Sequence, residues 1–226
     1  MTAPVHPARI SDSAGVILAA GRSSRMGAPK LLLPWPPPEA RHAVKRTLPS
    51  GSARWTMLEA AVDVLRPWCQ GIFIVVHHER ERIAALPGVA GCTLVPGDPS
   101  PEMFGSIVAG LRAVQHWNES GNEPVSRILL HPGDHPEVGA NIITRLLDES
   151  TGHPNQAILP EYRGKGGHPV VVSSLLVPGI LSWHGQGGLR AYWEAHPNLV
   201  VRIPVDDESC TRDLDTPDVY WAATRD

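Results

Sequence analysis

Short, continuous apolar runs recur along this chain at Ala14–Ala20 (AGVILAA), Gly71–Val76 (GIFIVV), Cys92–Val95, Arg127–Leu130, Ala157–Leu159, Pro169–Val172 and Leu199–Val205. A strand buried on both faces reads as such a run, whereas a strand with one wet face alternates. Between several of them lie helical patterns, at Met57–Leu65, Ser106–Trp117, Ala140–Leu147 and Leu189–His196. Buried strands alternating with amphipathic helices pack as a mostly parallel sheet covered on both faces through right-handed crossovers. The predicted fold is therefore α/β, one domain with a mostly parallel, Rossmann-like sheet.

The chain has 226 residues and 42% hydrophobic content, enough for one core. Residues 1–13 carry Pro, His, Ser and Asp without periodicity and read as a mobile tail before a domain at 14–226. Two stretches break the alternation. Residues 34–54 (PWPPPEARHAVKRTLPSGSAR) hold prolines that can propagate neither a helix nor a central strand, which predicts an exposed insertion or lid. Residues 152–169 form a polar segment with YRGKGGHP near its end.

Charge and composition exclude several partners. A net charge of −3 offers no basic footprint for nucleic acid, and seven scattered tryptophans form no stacking platform. No run of eighteen apolar residues occurs, and the first dozen residues lack a secretory core, which predicts a cytoplasmic protein without a membrane partner. Cys69, Cys92 and Cys210 are too few and too widely spaced for a disulfide framework or a zinc motif. A small-molecule ligand remains.

In open α/β sheets ligands bind beyond the carboxyl ends of the strands, which directs attention to GRSSRMGAPK, Gly21–Lys30, after the first run. Gly21 and Gly27 allow close backbone approach, Ser23 and Ser24 offer hydroxyls, and Arg25 and Lys30 add cations suited to phosphate. The spacing is not that of a P-loop, because five residues separate Gly21 from Gly27 and Ala28 follows. Nor is there a G-x-G-x-x-G, so a nicotinamide oxidoreductase lacks its fingerprint.

GVILAAGRSSRMGAPK resembles the L-A-[AG]-G-x-S-x-R-M-G-x-x-K signature of the nucleotidyltransferases related to molybdenum cofactor cytidylyltransferase and guanylyltransferase. Ala20, where a second glycine also occurs, is closer to the cytidylyltransferase side. MFGSIVAGL (103–111) is similar to the family's G-M-S-x-S-[LI]-x-x-G-[LI], departing at Phe104 and Gly105. HPGDHP (131–136) resembles G-D-[QM]-P with His135 where glutamine is usual, GGHPVVV (166–172) resembles G-H-P-V, and DLDTPDVYWAA (213–223) resembles the D-[IL]-D-T-P-E-D ending.

The resemblance implies the nucleotide-diphospho-sugar transferase type of fold and transfer of a nucleoside monophosphate, CMP from CTP ahead of GMP from GTP, to a phosphorylated acceptor. The implied acceptor is molybdopterin, and a recipient molybdoenzyme or its chaperone would be a further partner. Alternatives are guanylyl transfer, transfer to a sugar, polyol or lactyl phosphate, and a nucleotide-binding adaptor without turnover. Backbone groups of Leu18, Ala19, Ala20, Gly21 and Gly133, with Arg25 and Lys30, are the implied nucleotide contacts, and the loops at 77–79 and 96–106 would read the base. The implied ion is Mg2+, with Mn2+ an alternative. Asp134 is its expected first ligand, with Arg25 and Lys30 as catalytic cations. Asp213 and Asp215 are read as pointing to opposite sides of an extended segment, so that Asp213 is favoured as the second ligand and Asp215 caps the next helix or joins the shell. His135, Pro136, Gly167 and His168 are expected to line the acceptor site, with Arg163 and Lys165 meeting its phosphate. His77, His78 and Glu79 read as a surface loop rather than a metal site.

Overall fold

The computed structural model describes residues 12–21, 23, 26–35, 55–98 and 103–223, apart from the side chain of Trp221. The strands are β1 (Ser13–Ala19), β2 (Pro34–Trp35), β3 (Trp55–Thr56), β4 (Gly71–Val76), β5 (Thr93–Pro96), β6 (Arg127–Pro132), β7 (Ala157–Tyr162), β8 (Lys165–Gly166), β9 (Val170–Ser173) and β10 (Val200–Pro204). The helices are α1 (Met57–Leu65), α2 (Arg80–Ala84), α3 (Met103–Glu119), α4 (Ala140–Gly152), α5 (Val177–Leu181), α6 (Gly188–Ala195) and α7 (Pro217–Ala223).

The main sheet runs β10-β7-β9-β6-β1-β4-β5, with β8 paired to β7. Strands β5, β4, β1 and β6 are mutually parallel, as are β7 and β10, whereas β9 runs antiparallel to both β6 and β7. From β1 the chain moves outward through β4 to β5, then returns to place β6 on the other side of β1. That reversal opens a crevice between the carboxyl ends of β1 and β6, where the strand register pairs Leu18 with Pro132.

The apolar runs are continuous because each strand feeds two cores. Ile17, Ile74, Leu129, Ile158 and Val171 pack against α1, α4 and α7 on one face. Their sequence neighbours Val16, Val75, Leu130, Leu159 and Val172 pack against α3, α5 and α6 on the other. Helix α1 begins where Thr56 and Glu59 form a reciprocal capping box, Glu59 N–H donating to Thr56 Oγ1 at 3.3 Å and Thr56 N–H to Glu59 Oε2 at 2.8 Å.

Three boundaries differ from the sequence reading. Ser13 is fully buried and opens β1, while Asp12 pairs with Arg127, so the fold begins before residue 14. Trp35 is 5% exposed and packs near Tyr220, so the exposed insertion does not start at residue 34; β2 and β3 pair at its base, and residues 36–54 lie outside the described residues. The polar segment before Pro169 is in part regular, the end of β7 turning into β8 through Arg163 and Gly164, whose φ values of 50° and 80° suit a two-residue hairpin turn. Among the described residues no helix is long and apolar enough to cross a membrane.

Helix α3 crosses β1 at Gly110, where an added Cβ would lie 2.4 Å from Cγ1 of the fully buried Val16. A central-strand valine cannot retreat, so overpacking should outweigh the helix propensity that alanine gains. Gly110→Ala is expected to lower stability by roughly 1–2 kcal/mol, read by urea denaturation; an unchanged or raised midpoint would refute this close packing.

Candidate functional site

Three segments far apart in sequence meet at the crevice. The first is the loop after β1, in which Ser23 takes a positive φ of 51° and its Oγ accepts from the backbone N–H of Lys30 at 3.2 Å. Lys30 then starts a short 3-10 turn that buries Leu31. The second segment follows β6: Gly133 N–H donates to the Leu18 carbonyl at 3.0 Å, and a side chain at Gly133 would press on Leu18 and Leu31. Asp134 and His135 come next. The third is the stretch between the 3-10 turn Glu208–Thr211 and α7, which carries Asp213, Leu214 and Asp215.

The Nζ of Lys30 joins the first segment to the other two. It pairs with Asp134 Oδ2 at 2.5 Å and with Asp215 Oδ1, and all three side chains are largely enclosed. Burial works against the ammonium charge, but Asp134 and Asp215 outweigh it and raise the lysine above its ordinary range. Lys30 is therefore charged at neutral pH.

Asp213 takes a different partner. Its Oδ1 accepts from His135 Nε2 at 2.7 Å, and that bond leads the causes that hold its carboxyl below the usual range. Leu214, between the two aspartates, is fully buried. Alternation of an extended segment thus sends Leu214 into the core and both aspartates toward the crevice. The aspartate beside Lys30 and Asp134 is Asp215, not the Asp213 favoured from sequence.

Beneath the carboxylates lie three histidines. His131 and His135 are buried, and the ring of His135 meets His131 at 6.1 Å and His168 at 5.4 Å, both nearly perpendicular. His131 Nε2 donates to the His135 carbonyl at 2.9 Å, and the Nδ1 atoms of all three are buried without a hydrogen-bond partner. Burial, reinforced by the neighbouring imidazoles, drives His131 well below 6.5 and His168 down to about 4. His131 was not singled out from sequence; its place on the inner end of an apolar run was the available signal.

Beside this lies a cleft of about 1010 Å³ between the start of α3, the β7–β8 hairpin and α6. Phe104, Leu159 and Trp193 supply its apolar walls, and Lys165, Arg190 and Arg202 line its edges. Gly167 and His168 line it, whereas His135 and Pro136 are buried and do not. Arg163 is exposed at the hairpin turn over the ring of Tyr162.

The loop ends over β1 also converge. Gly97 N–H donates to the Val76 carbonyl at 2.7 Å, and a side chain at Gly97 would meet Ala20. Leu18, Ala19, Ala20 and Gly21 thus border the crevice, while Arg25 lies outside the described residues. His77 and His78 are exposed with rings 4.4 Å apart, and Glu79 pairs with Arg82. Among the described residues no group of three or more His, Cys, Asp or Glu could hold a metal ion. The metal candidate is the two-carboxylate set Asp134 and Asp215, whose oxygen donors converge on one cationic centre and suit a hard divalent ion completed by ligand phosphates.

Residues 15–199 match the family model described as the MobA-like NTP transferase domain. The chain belongs to that family. It is 24% identical over 213 residues to the Escherichia coli K12 molybdenum cofactor cytidylyltransferase, covering 92% of this chain and 93% of that protein. It is 27% identical over 158 residues to a probable molybdenum cofactor guanylyltransferase of Bacillus cereus AH187, covering 69% of this chain but 65% of that relative's length. Among solved structures, Rv0371c from Mycobacterium tuberculosis H37Rv superposes with a TM-score of 0.71 at 24% identity, covering 96% of this chain and 98% of its own. The complex of Rv0371c with manganese gives 0.68 at 23%, covering 96% and 99%. These likenesses agree with a mostly parallel nucleotidyltransferase-type α/β sheet.

A buried imidazole depressed to about 4 stays neutral in the fold while its unfolded counterpart, near 6.5, takes up a proton. Its contribution to stability is complete above about 6.5 and is lost as pH falls toward 4. NMR titration should show His168 still neutral at pH 5, with stability declining across that window. A His168 midpoint near 6.5 would contradict the burial argument.

Proposed function

We propose that this chain transfers a nucleoside monophosphate, CMP from CTP ahead of GMP from GTP, to a phosphorylated acceptor with release of pyrophosphate. Molybdopterin is the first acceptor to test. The observation that carries the reading is the junction of Lys30, Asp134 and Asp215 at the crevice between β1 and β6. A triphosphate and an acceptor phosphate repel one another, so the reaction chiefly requires charge neutralisation and alignment.

Asp134 and Asp215 are the residues that would hold Mg2+ or Mn2+, and the bound ion would offset phosphate charge. The manganese complex of Rv0371c, on the same fold, supports a divalent ion. Lys30, released from its carboxylates, would reach toward the β- and γ-phosphates and stabilise pyrophosphate as it leaves, with Arg25 as the second cation. Backbone groups of Leu18 to Gly21 and Gly133 would meet the nucleotide. The cleft lined by Phe104, Lys165, Gly167, His168 and Trp193, of which His168 packs on the His135 that binds Asp213, would take the acceptor. CTP is placed ahead of GTP because Ala20 follows the cytidylyltransferase pattern and the match to the Escherichia coli protein extends over 92% of the chain.

The test is calorimetry with CTP, GTP, ATP and UTP, each with Mg2+ and with chelator. CTP binding that needs the metal and is weakened by Asp134→Ala is the expected result, followed by pyrophosphate release with molybdopterin. Selective GTP binding would replace cytidylyl by guanylyl transfer, and binding of no triphosphate would overturn the enzyme reading.

Lys30 and the ion would compete for the same two carboxylates, which separates two effects of one substitution. Lys30→Ala is expected to cut turnover on the order of 10²-fold while tightening binding of Mn2+ alone. Undiminished turnover in a steady-state assay, or weaker Mn2+ binding, would remove Lys30 from this role.

A further inference from the structure

Each residue from Cys210 to Asp215 is anchored to the rest of the fold. The Cys210 carbonyl accepts from the His168 N–H at 2.7 Å and the Thr211 carbonyl from Lys165 Nζ at 3.0 Å. Arg212 pairs with Glu137 at 2.9 Å, Leu214 is in the core, and Asp215 meets Lys30. The anchor at Asp213 is unlike these, because His135 is the chain neighbour of Asp134. One residue beyond the first carboxylate thus grips a residue two short of the second.

The His135 side chain is 2% exposed, whereas that of Asp213 is 54% exposed, so the donor is the fixed member of the pair. Its ring is wedged edge-on between His131 and His168, its carbonyl is held by His131 Nε2, and its N–H donates to the Pro132 carbonyl at 3.3 Å. Nε2 donates to the carboxylate, while Nδ1 is buried without a hydrogen-bond partner.

We infer that His135 is a positioning residue: by gripping Asp213 it holds the Asp213–Asp215 segment so that Asp215 stays opposite Asp134 when Lys30 leaves. The inference rests on the metal reading of the proposed function. Lys30 cannot supply this restraint during the reaction, since its ammonium is the group drawn away toward phosphate. At that moment two like charges face each other, and the His135 hydrogen bond to the neighbouring aspartate keeps the segment in place. A glutamine side chain also carries amide N–H donors suited to a carboxylate oxygen, so the role belongs to a side-chain N–H donor rather than to an imidazole as such.

The experiment titrates the full chain with Mn2+ alone, following the free Mn2+ signal by electron paramagnetic resonance, and records hydrogen exchange of residues 211–216 in the metal-free protein. His135→Ala should weaken Mn2+ about tenfold, the lower end of the range for losing a residue that orients a metal ligand, and should speed exchange in that segment. His135→Gln should stay within about twofold of the unaltered protein in both. Should His135→Ala fail to fold, Asp213→Ala removes the same bond from the exposed side and should reproduce the loss. Asp213→Asn keeps the acceptor and should bind Mn2+ normally. If Asp213→Asn loses as much as Asp213→Ala, Asp213 is itself a ligand and the positioning role is overturned. Undiminished Mn2+ affinity in His135→Ala, or equal losses in His135→Ala and His135→Gln, overturns it as well. Absence of Mn2+ binding by the unaltered protein would instead overturn the metal reading, and this inference with it.

Discussion

The pairing of one ammonium with two carboxylates is the constraint around which the crevice is arranged. Two like charges about 4 Å apart repel by roughly 4 kcal/mol at the effective dielectric of a protein surface, less whatever solvent screens. The fold nonetheless brings Asp134 and Asp215 to one point, and Lys30 makes that possible. The three come from the β1 loop, the end of β6 and the segment before α7, which are 104 and 185 residues apart from Lys30 along the chain.

The sheet supplies the geometry that this junction needs. Because β1 has β4 on one side and β6 on the other, the loops that follow β1 and β6 leave the sheet side by side. Glycines at 97 and 133 let neighbouring loops press against Ala20 and Leu18 with little room for a side chain. The third segment reaches the same edge because Leu214 is buried and Tyr220 packs near Trp35, donating its hydroxyl proton to the Pro34 carbonyl. Core packing on the α1, α4 and α7 face therefore sets the position of a charged group at the surface.

What was legible in the sequence follows from how strongly each feature is encoded locally. Buried strands announce themselves as apolar runs, and α1 is announced by Thr56 and Glu59 as well as by its periodicity. The direction of β9 is not encoded, since VVVS reads the same parallel or antiparallel. The β7–β8 hairpin was missed because Arg163 occupies a left-handed turn position where Asn, Asp or Gly usually stands. At the site, the glycine-rich loop, Lys30 and Asp134 were visible from residue type and strand ends. The choice between Asp213 and Asp215 was not, because it depends on which partner each meets across more than 75 residues of chain. His135 was read as a cleft residue because a histidine in a Gly-Asp-His-Pro turn looks polar and exposed, and nothing local shows that the ring is covered by His131 and His168.

The distribution of charge explains why those histidines can be buried there at all. A charged group beneath two carboxylates would compete with Lys30 and with any incoming ion, and burial would penalise it heavily. Burial keeps His131 and His168 neutral, so they contribute direction and packing instead of charge. Their unpartnered Nδ1 atoms carry an energetic cost of their own, because a buried acceptor without a donor gives up its hydration. That cost is tolerable where it fixes the orientation of a hydrogen bond that the surface alone could not hold. Formal charge is kept at the rim of the crevice, and the buried imidazoles of His131 and His168 lie uncharged below it.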